Sequence, residues 1–570
     1  MISRLLKWIC GTAAAATLIL GAHSCIKVDS SLGSNLIPLS QLYDVYTLEF
    51  PLTDITMKML DSLSGYSNTR ITFGAVRDEE FGLTTRACAL SLVPVLDSID
   101  FGKNPEFHSF RFTAARDTIS YAYASDENIL QNVNVYELEN PMDFTFVDLN
   151  TPVAHKSERV TDGIPVYNGK DSLTFRFNRA FGEKYMKMTT EDLQDMGKYL
   201  EKFPGIYIDT DVPEGLGGRI NMFNLQMGVN VSYNYITKDY AQLNFSAEYD
   251  GVRKDSSFVF LFSPNDFFDL DSLITLKKNN SEYADYYTFP QYCFNTTSHE
   301  TRGREGRPTE KICIEGGGGL KAVFSAEEIL RRLREDISKH GDPASAVVTR
   351  ATLVLPFEFP DDYTEMFRYP DYISPTCRLS YEDGVSFASL TDVSSTSEDP
   401  GELNRSLLQY APDVTYHIQK LLQTTSSTKL SNYDIWTLLM STEYFTSEYD
   451  SSAAMSEYLY QMQQMMYLNQ LYGYGGYGGY GGYGYGGYGY GYGGYGYGYD
   501  SYGYGYGYSN YYSMAMLASM YSNSGSSSNR KSKIEMDKDR YFNAALNGPE
   551  APSGRVPTMR VIYALPKEAD

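Results

Sequence analysis

The sequence predicts a mainly β protein, with two or more antiparallel β-sandwich domains, a few helices packed on their sheets, and one Gly/Tyr-rich insertion. Three observations predict it. Apolar and polar residues alternate at period two over much of the chain, polar turns separate those runs, and only a few stretches carry a helical pattern. Short strands joined by polar turns argue for sandwiches and against βαβ units, in which strands alternate with helices.

The alternation begins after Leu42, where Tyr46, Leu48 and Phe50 fall on one face. Phe110 with Phe112, then Leu173, Phe175 and Phe177, repeat the pattern. Val229, Val231, Tyr233 and Tyr235 alternate with Asn230, Ser232 and Asn234, and Leu243, Phe245, Ala247 and Tyr249 follow. These runs read as antiparallel meanders with one wet face.

The clearest helix is expected from Ala326 to His340. Ser325 is its N-cap, Glu328 completes a capping box, Phe324 and Ile329 form a hydrophobic staple, and Gly341 stops it. Its Ile329, Leu330, Leu333 and Ile337 make one apolar stripe to lay on a sheet. A second helix is expected from Thr189 to Phe203, ended by Pro204-Gly205, and a third from Asp413 to Gln423. Strands resume from Val347 to Phe359, and the run Met559-Arg560-Val561-Ile562-Tyr563-Ala564-Leu565 is expected to complete a sheet.

Before that closing strand, Met455 to Leu471 is rich in Met, Gln and Tyr and has helical character. Tyr472 to Tyr508 is then almost entirely Gly and Tyr, with Asp500 its one charge. Glycine carries too much backbone entropy for such a stretch to form an ordinary core, so the expectation is a disordered surface insertion. Its tyrosines offer flat, partly polar faces suited to weak multivalent stacking.

The amino terminus reads as an export signal. Arg4 and Lys7 form a positive n-region, and Trp8 through Leu20 is an apolar h-region too short to span a bilayer comfortably. Gly21-Ala22-His23-Ser24-Cys25 then forms a relaxed lipobox, which makes Cys25 the expected lipidation site. Acyl chains on that cysteine would exceed the two anchoring signals that stable membrane attachment needs. The organisation expected is signal peptide 1–24, lipidated tether 25–41, N-terminal β-sandwich 42–150, and a middle β-rich region 151–300 with one helix. A second β-rich domain 301–430 follows, then the low-complexity insertion 431–530 and the tail with its closing strand, 531–570.

The net charge is −23, and loss of Arg4 and Lys7 would make it −25, so nucleic acid and anionic headgroups are poor partners for the chain as a whole. Beyond Cys25, the mature cysteines are Cys88, Cys293, Cys313 and Cys377. Their even number in an oxidising compartment allows one or two disulfides, and the spacing fixes no pairing. Cys88 and Cys313 lie in apolar runs, where a buried free thiol fits equally well.

Several stretches together resemble a family of Bacteroidota outer-membrane lipoproteins defined only as a domain of unknown function. They are Leu32-Gly33-Ser34-Asn35-Leu36-Ile37-Pro38, Gly74-Ala75-Val76-Arg77-Asp78-Glu79-Glu80-Phe81-Gly82, Val133-Asn134-Val135-Tyr136-Glu137-Leu138 and Tyr199-Leu200-Glu201-Lys202-Phe203-Pro204-Gly205-Ile206-Tyr207-Ile208. Phe294-Asn295 with His299, the glycines from 316 to 319, and Ala351 to Pro356 follow in order. The resemblance implies a relaxed lipobox, a jelly-roll-like N-terminal sandwich and an outer-membrane location; the expected face is the cell surface, with the periplasmic face as the alternative. It supplies no catalytic residues, and the Gly/Tyr insertion departs from its pattern. The N-terminal part is also similar to jelly-roll modules, some of which bind polysaccharides, a likeness of fold alone.

Catalytic signatures are sparse. His108, His155, His299, His340 and His417 stand in no HExxH or nucleophile–base pattern, and Gly-x-Ser-x-Gly is lacking. No catalytic residue, metal ligand or cofactor is therefore assigned. His299 near Cys293 makes half a metal site without its partner ligands. The glycines 316–319 before Leu320-Lys321 lack the Gly-Lys-Ser/Thr of a phosphate loop and read as a tight turn. Asp209, Asp211 and Glu214, like Asp266, Asp269 and Asp271, carry oxygen ligands suited to Ca²⁺ but read first as solvated turns. Glycosidase carboxylates pair in space and leave no linear signature.

Ser62, Ser98, Thr118, Ser172 and Ser272 each follow Asp and precede an apolar residue, which resembles an O-glycosylation acceptor. Arg302, Arg304, Arg307 and Lys311 reverse the charge field locally and read first as a solvated loop, with docking of an acidic partner or a lipopolysaccharide phosphate as the second reading. The functional expectation is a lipid-anchored binding or scaffolding protein without catalysis, engaging an outer-membrane protein complex. A surface glycan-binding protein and a polysaccharide hydrolase are the alternatives. Trp436, the one tryptophan beyond the signal, argues for protein partners over a sugar platform.

Overall fold

The computed structural model describes residues 42–567 apart from 97, 118–128, 143–146, 171, 226, 231–234, 237–238, 265–266, 268–285, 290, 382–383, 391, 393–398, 447–529 and 537. The chain is mainly β, with several antiparallel sheets and few helices. The expected lipidated cysteine, the tether and the Gly/Tyr stretch lie outside the described residues, as do Asp266, Asp269, Asp271, Thr118 and Ser272.

The first core lies between two sheets. A five-stranded sheet runs Leu173–Phe177, Lys103–Ala114, Tyr240–Tyr249, Val252–Phe262, Leu92–Pro94. Facing it is a nine-stranded sheet built around Gln131–Leu138, Ile206–Thr210, Gly82–Leu90 and Cys293–His299, with Arg70–Asp78 and Gly217–Asn224 branching from it. Inward residues of both sheets form one aromatic-rich cluster, including Phe73, Val135, Ile208, Phe110, Phe112 and Leu243. Phe112 stacks on its cross-strand partner Phe175 at 4.7 Å and on Phe262 at 4.9 Å. Such pairs add about 0.5–1.5 kcal/mol beyond the area they bury.

The expected helix from Thr189 to Phe203 is two elements. Thr190–Gln194 is a 3-10 turn and Met196–Lys202 an α-helix, separated by extended Asp195. Asp195 accepts from the Lys198 amide at 3.2 Å, so it serves as an N-cap; an aspartate satisfies orphan amides better at a helix start than inside a helix. A further short helix, Arg179–Tyr185, was not expected; Asn178 caps it, and it lays Phe181 and Tyr185 on Phe110. Its Gly182 permits that approach, since a Cβ there would sit 2.0 Å from the Phe107 ring.

The second core joins the two ends of the described chain. Its four-stranded sheet runs Tyr43–Pro51, Thr558–Pro566, Val347–Pro356, Gln409–Tyr410, and a six-stranded sheet is built on Ile55–Met59, Leu320–Phe324, Ile435–Thr446 and Tyr372–Tyr381. The closing run thus sits between the first strand and Val347–Pro356, with Met559, Val561, Tyr563 and Leu565 buried. The boundary expected at residue 150 does not divide the cores: residues 43–59 belong to the second and strands from 70 to 262 to the first. Alternation reports which face a residue takes and is silent on which distant strand it meets.

Helix Ala326–Ile337 packs its expected stripe into this core, and Ser325 caps it through the Glu328 amide. The capping box is not closed. The Glu328 carboxylate instead binds the amides of Thr53 and Asp54 and the Thr53 hydroxyl, fixing the corner between the first two strands. The third helix is Thr415–Leu422, with Ile418, Leu421 and Leu422 inward as expected.

Residues 538–542 join the two cores. Asp539 meets Arg70 at 3.4 Å, Arg70 also meets Asp117 at 3.0 Å, and Arg86 donates to the carbonyls of Lys538 and Arg540 at 2.6 and 2.7 Å. The segment expected as a tail is therefore interior. Asn543–Asn547 continues it by pairing with Lys311–Glu315.

Candidate interaction surface

Phe359, Tyr363, Phe367 and Leu407, exposed by 59, 65, 53 and 58%, stand on two loops that Phe357 and Leu408 join, with the Tyr363 and Phe367 rings 6.3 Å apart. Local chemistry makes their supports rigid. Asp362 caps the 3-10 turn Tyr363–Arg368 through the Thr364 amide at 2.9 Å, and Met366 and Tyr369 bury the other side of that turn. Asn404 likewise turns the Leu407 loop by accepting the amides of Ser406 and Leu407. Arg555 ties the Leu407 loop to the chain just before Phe359, donating to the carbonyls of Phe357, Leu407 and Leu408. Arg368 then ties the turn to the first core through Asp78 at 2.8 Å.

The place of this cluster follows from strand register. Tyr43 pairs with Pro566 and Pro51 with Thr558, while Val354 also pairs with Thr558. Phe359 follows Val347–Pro356, so it leaves the sheet at the end opposite to the one where residues 25–41 would enter. A nine-residue strand separates the two ends by about 30 Å.

The buried histidines His299 and His417 are engaged internally. His299 lies 3.1 Å from Glu315, which also meets Arg304 at 2.7 Å; the His299 and Glu315 side chains are 2 and 3% exposed. Burial pushes the His299 pKa down, against the upward pull of Glu315. Burial alone would raise the Glu315 carboxyl, but His299 and Arg304 hold it below its ordinary range. His299 is therefore part of an ion-pair network, with Thr297 on its other nitrogen at 3.0 Å, while Cys293, six residues back on the same face of the strand and about 20 Å away, directs its thiol to the Arg70 carbonyl and Asn295. His417, wholly buried, faces the Cys377 thiol at 3.9 Å and donates from Nε2 to the Tyr433 carbonyl at 3.0 Å. Groups so enclosed set the packing and meet no diffusing substrate.

The four cysteines Cys88, Cys293, Cys313 and Cys377 are free and buried, the second of the two states the sequence allows. Cys313 and Cys377 lie in strands of different sheets, and the Cys88 and Cys293 thiols are neighbours on adjacent strands. The glycines 316–319 form the expected turn, with the Gly319 amide bonding to the Gly316 carbonyl at 3.1 Å. Buried Lys321 points its ammonium back at the carbonyls of Glu315, Gly317 and Gly319. A phosphate loop presents amides to an anion, and here carbonyls hold a cation.

The basic cluster does not form a free docking patch. Arg302 pairs with Glu300, Arg304 with Glu315, Arg307 with Asp54 and Lys311 with Glu80. Asp209 and Asp211 share the Asn134 amide at 3.0 Å each, and Asn132 also donates to Asp211, while Glu214 is remote from both bonds. Beside them His155 stacks between Tyr136 and Tyr207 at 4.7 and 4.4 Å. Of the candidate glycosylation acceptors, Ser98 and Ser172 are exposed, whereas Ser62 is half-buried with φ of 58°.

No helix among the described residues is long and apolar enough to cross a membrane, which bears on helices alone. Comparison with protein-family models, with curated proteins and with solved structures returned no match. The fold defines a mainly β protein with two cores and exposed aromatic side chains on the capped turn that follows Val347–Pro356.

Proposed function

We propose that this chain is a lipid-anchored envelope protein, acylated at Cys25, that binds or scaffolds an outer-membrane protein and performs no catalysis. The observation that carries the reading is the cluster of Phe359, Tyr363, Phe367 and Leu407, more than half exposed on supports that hold them rigid. Burying such side chains on a partner contributes roughly 1.5–3 kcal/mol each, and rigid aromatic anchors are the usual energetic centres of protein interfaces. Their position at the sheet end opposite the tether directs them at a protein rather than at the bilayer that holds the anchor.

The test is site-specific photo-crosslinking in intact envelopes, with the crosslinking residue at position 363 or 367. The result expected is one discrete adduct to a membrane protein at both positions, and none from a control at exposed Lys254 on the other core. Equal, diffuse labelling from all three positions overturns the reading. Metabolic labelling with palmitate, lost in Cys25→Ser, tests the anchor separately.

A further inference from the structure

The outward face of the five-stranded sheet carries an arrangement that folding alone does not favour. Arg176 and Arg111 are directly paired in register, both exposed, and Arg111 is in turn paired with Gln242. Residues so opposed have Cβ atoms only about 4.5–5.5 Å apart, and like charges there are destabilising. Among the described residues no carboxylate lies within 4.0 Å of either guanidinium. Asp162 comes next in the row, its amide bonding to the Arg176 carbonyl, and its side chain makes no ion pair with either.

Neutral hydrogen-bonding groups surround this rung. On one side, Thr174, Thr113 and Tyr240 are paired across three strands; on the other, Ser109, Asn244 and Ser257 are. The Asn244 amide rests on Ser109 at 3.1 Å and the Gln242 amide on Ser257 at 3.2 Å, which fixes both amides in place. Beyond the second row the face opens into a depression of about 590 Å³ lined by His108, Asn244, Phe245, Asp255, Ser256 and Ser257. His108 faces Asp255 there at 3.7 Å, and Arg253 is paired with Glu106 at 2.6 Å. The charged groups outside the Arg rung thus carry partners of their own.

We infer that this face binds an oligosaccharide bearing a carboxylate, with the acid on Arg111 and Arg176 and neutral sugars on the flanking rows. Two guanidiniums side by side match the two oxygens of a carboxylate, and their donors bind it with charge-assisted hydrogen bonds. The rows of hydroxyls and amides match sugar hydroxyls, which both donate and accept. A densely charged polyanion fits poorly, because the chain carries −23 and offers one positive rung between neutral ones. This site is on the other core from the aromatic cluster, so each stands or fails without the other.

The test uses full-length protein in detergent and a panel of sialylated and glucuronylated oligosaccharides, each matched with its neutral parent and read by calorimetry. The result expected is binding of at least one acidic sugar with its neutral parent roughly tenfold weaker or more. Arg111→Ala and Arg176→Ala should each lose a similar factor while leaving the melting temperature unlowered, since relieving the repulsion costs the fold nothing. Phe367→Ser should bind the sugar as the unaltered chain does. The inference is overturned if no acidic sugar exceeds its parent, if both arginine variants bind normally, or if a poly-glutamate peptide binds as well as the sugar.

Discussion

His299 Nδ1 lies 3.1 Å from a carboxylate oxygen of Glu315 in a site almost sealed from solvent, and Arg304 completes the group from the opposite side. Removing one member of such a buried pair leaves an uncompensated charge. Glu315→Gln should therefore cost about 3–5 kcal/mol, read as a lower midpoint in chemical denaturation, while exposed Glu335→Gln stays within about 0.5 kcal/mol. The pH dependence has one sign for both partners. Glu315 is depressed in the folded state, so its contribution is present above the ordinary carboxyl value and lost as pH falls through the folded one. His299 is also depressed, so stability falls further once pH drops below 6.5.

His417 and Asp392 oppose one another in acid. Burial holds His417 down at about 4, so its contribution is present above 6.5 and is lost as pH falls toward 4, a change of about 3 kcal/mol. Burial pushes Asp392 up to about 6, although it accepts the amides of Tyr416 and His417. Its protonated form is the one the fold favours, so its contribution grows as pH falls from 6. Asp392→Asn should steepen the loss of stability between pH 6 and pH 4, and His417→Gln should flatten it, both measured by urea titration across that range.

Truncation after Pro557 removes the strand between Tyr43–Pro51 and Val347–Pro356. Burial of Met559, Val561, Tyr563 and Leu565 contributes about 1.5–3 kcal/mol each, which together rivals the 5–15 kcal/mol that stabilises a whole domain. The truncated chain should lose its second core and become protease-sensitive from residue 43 onward. Limited proteolysis reads this directly, and a truncated chain that resists digestion contradicts the sheet order.

What the sequence discloses depends on range. Period-two runs at Phe110, Phe112, Phe175 and Phe177 identify both strands and their buried faces, and by the same token put Arg111 and Arg176 on the wet side. That the two arginines meet is a matter of register between strands some sixty residues apart, which no local pattern encodes. Ser325 and the stripe from Ile329 to Ile337 mark a helix accurately because capping and amphipathicity are local. The destination of Glu328, on Thr53 and Asp54, is long-range and was missed. The aromatic cluster left a faint trace, since Phe359, Tyr363 and Phe367 recur every four residues in a loop with no strand alternation. Residues 538–542 left none, because a charged Lys-Asp-Arg reads as surface until its partners Arg70 and Arg86 are known.

The most direct measurement is gentle purification of the protein from the envelope of its native host, for the unaltered chain and for the triple variant Phe359→Ser, Tyr363→Ser, Phe367→Ser. A membrane protein that accompanies the unaltered chain in constant ratio and is missing from the correctly folded variant is the result expected. Recovery of a lone protein that hydrolyses surface polysaccharide, or equal recovery of the partner with both chains, contradicts the binding role assigned to that cluster.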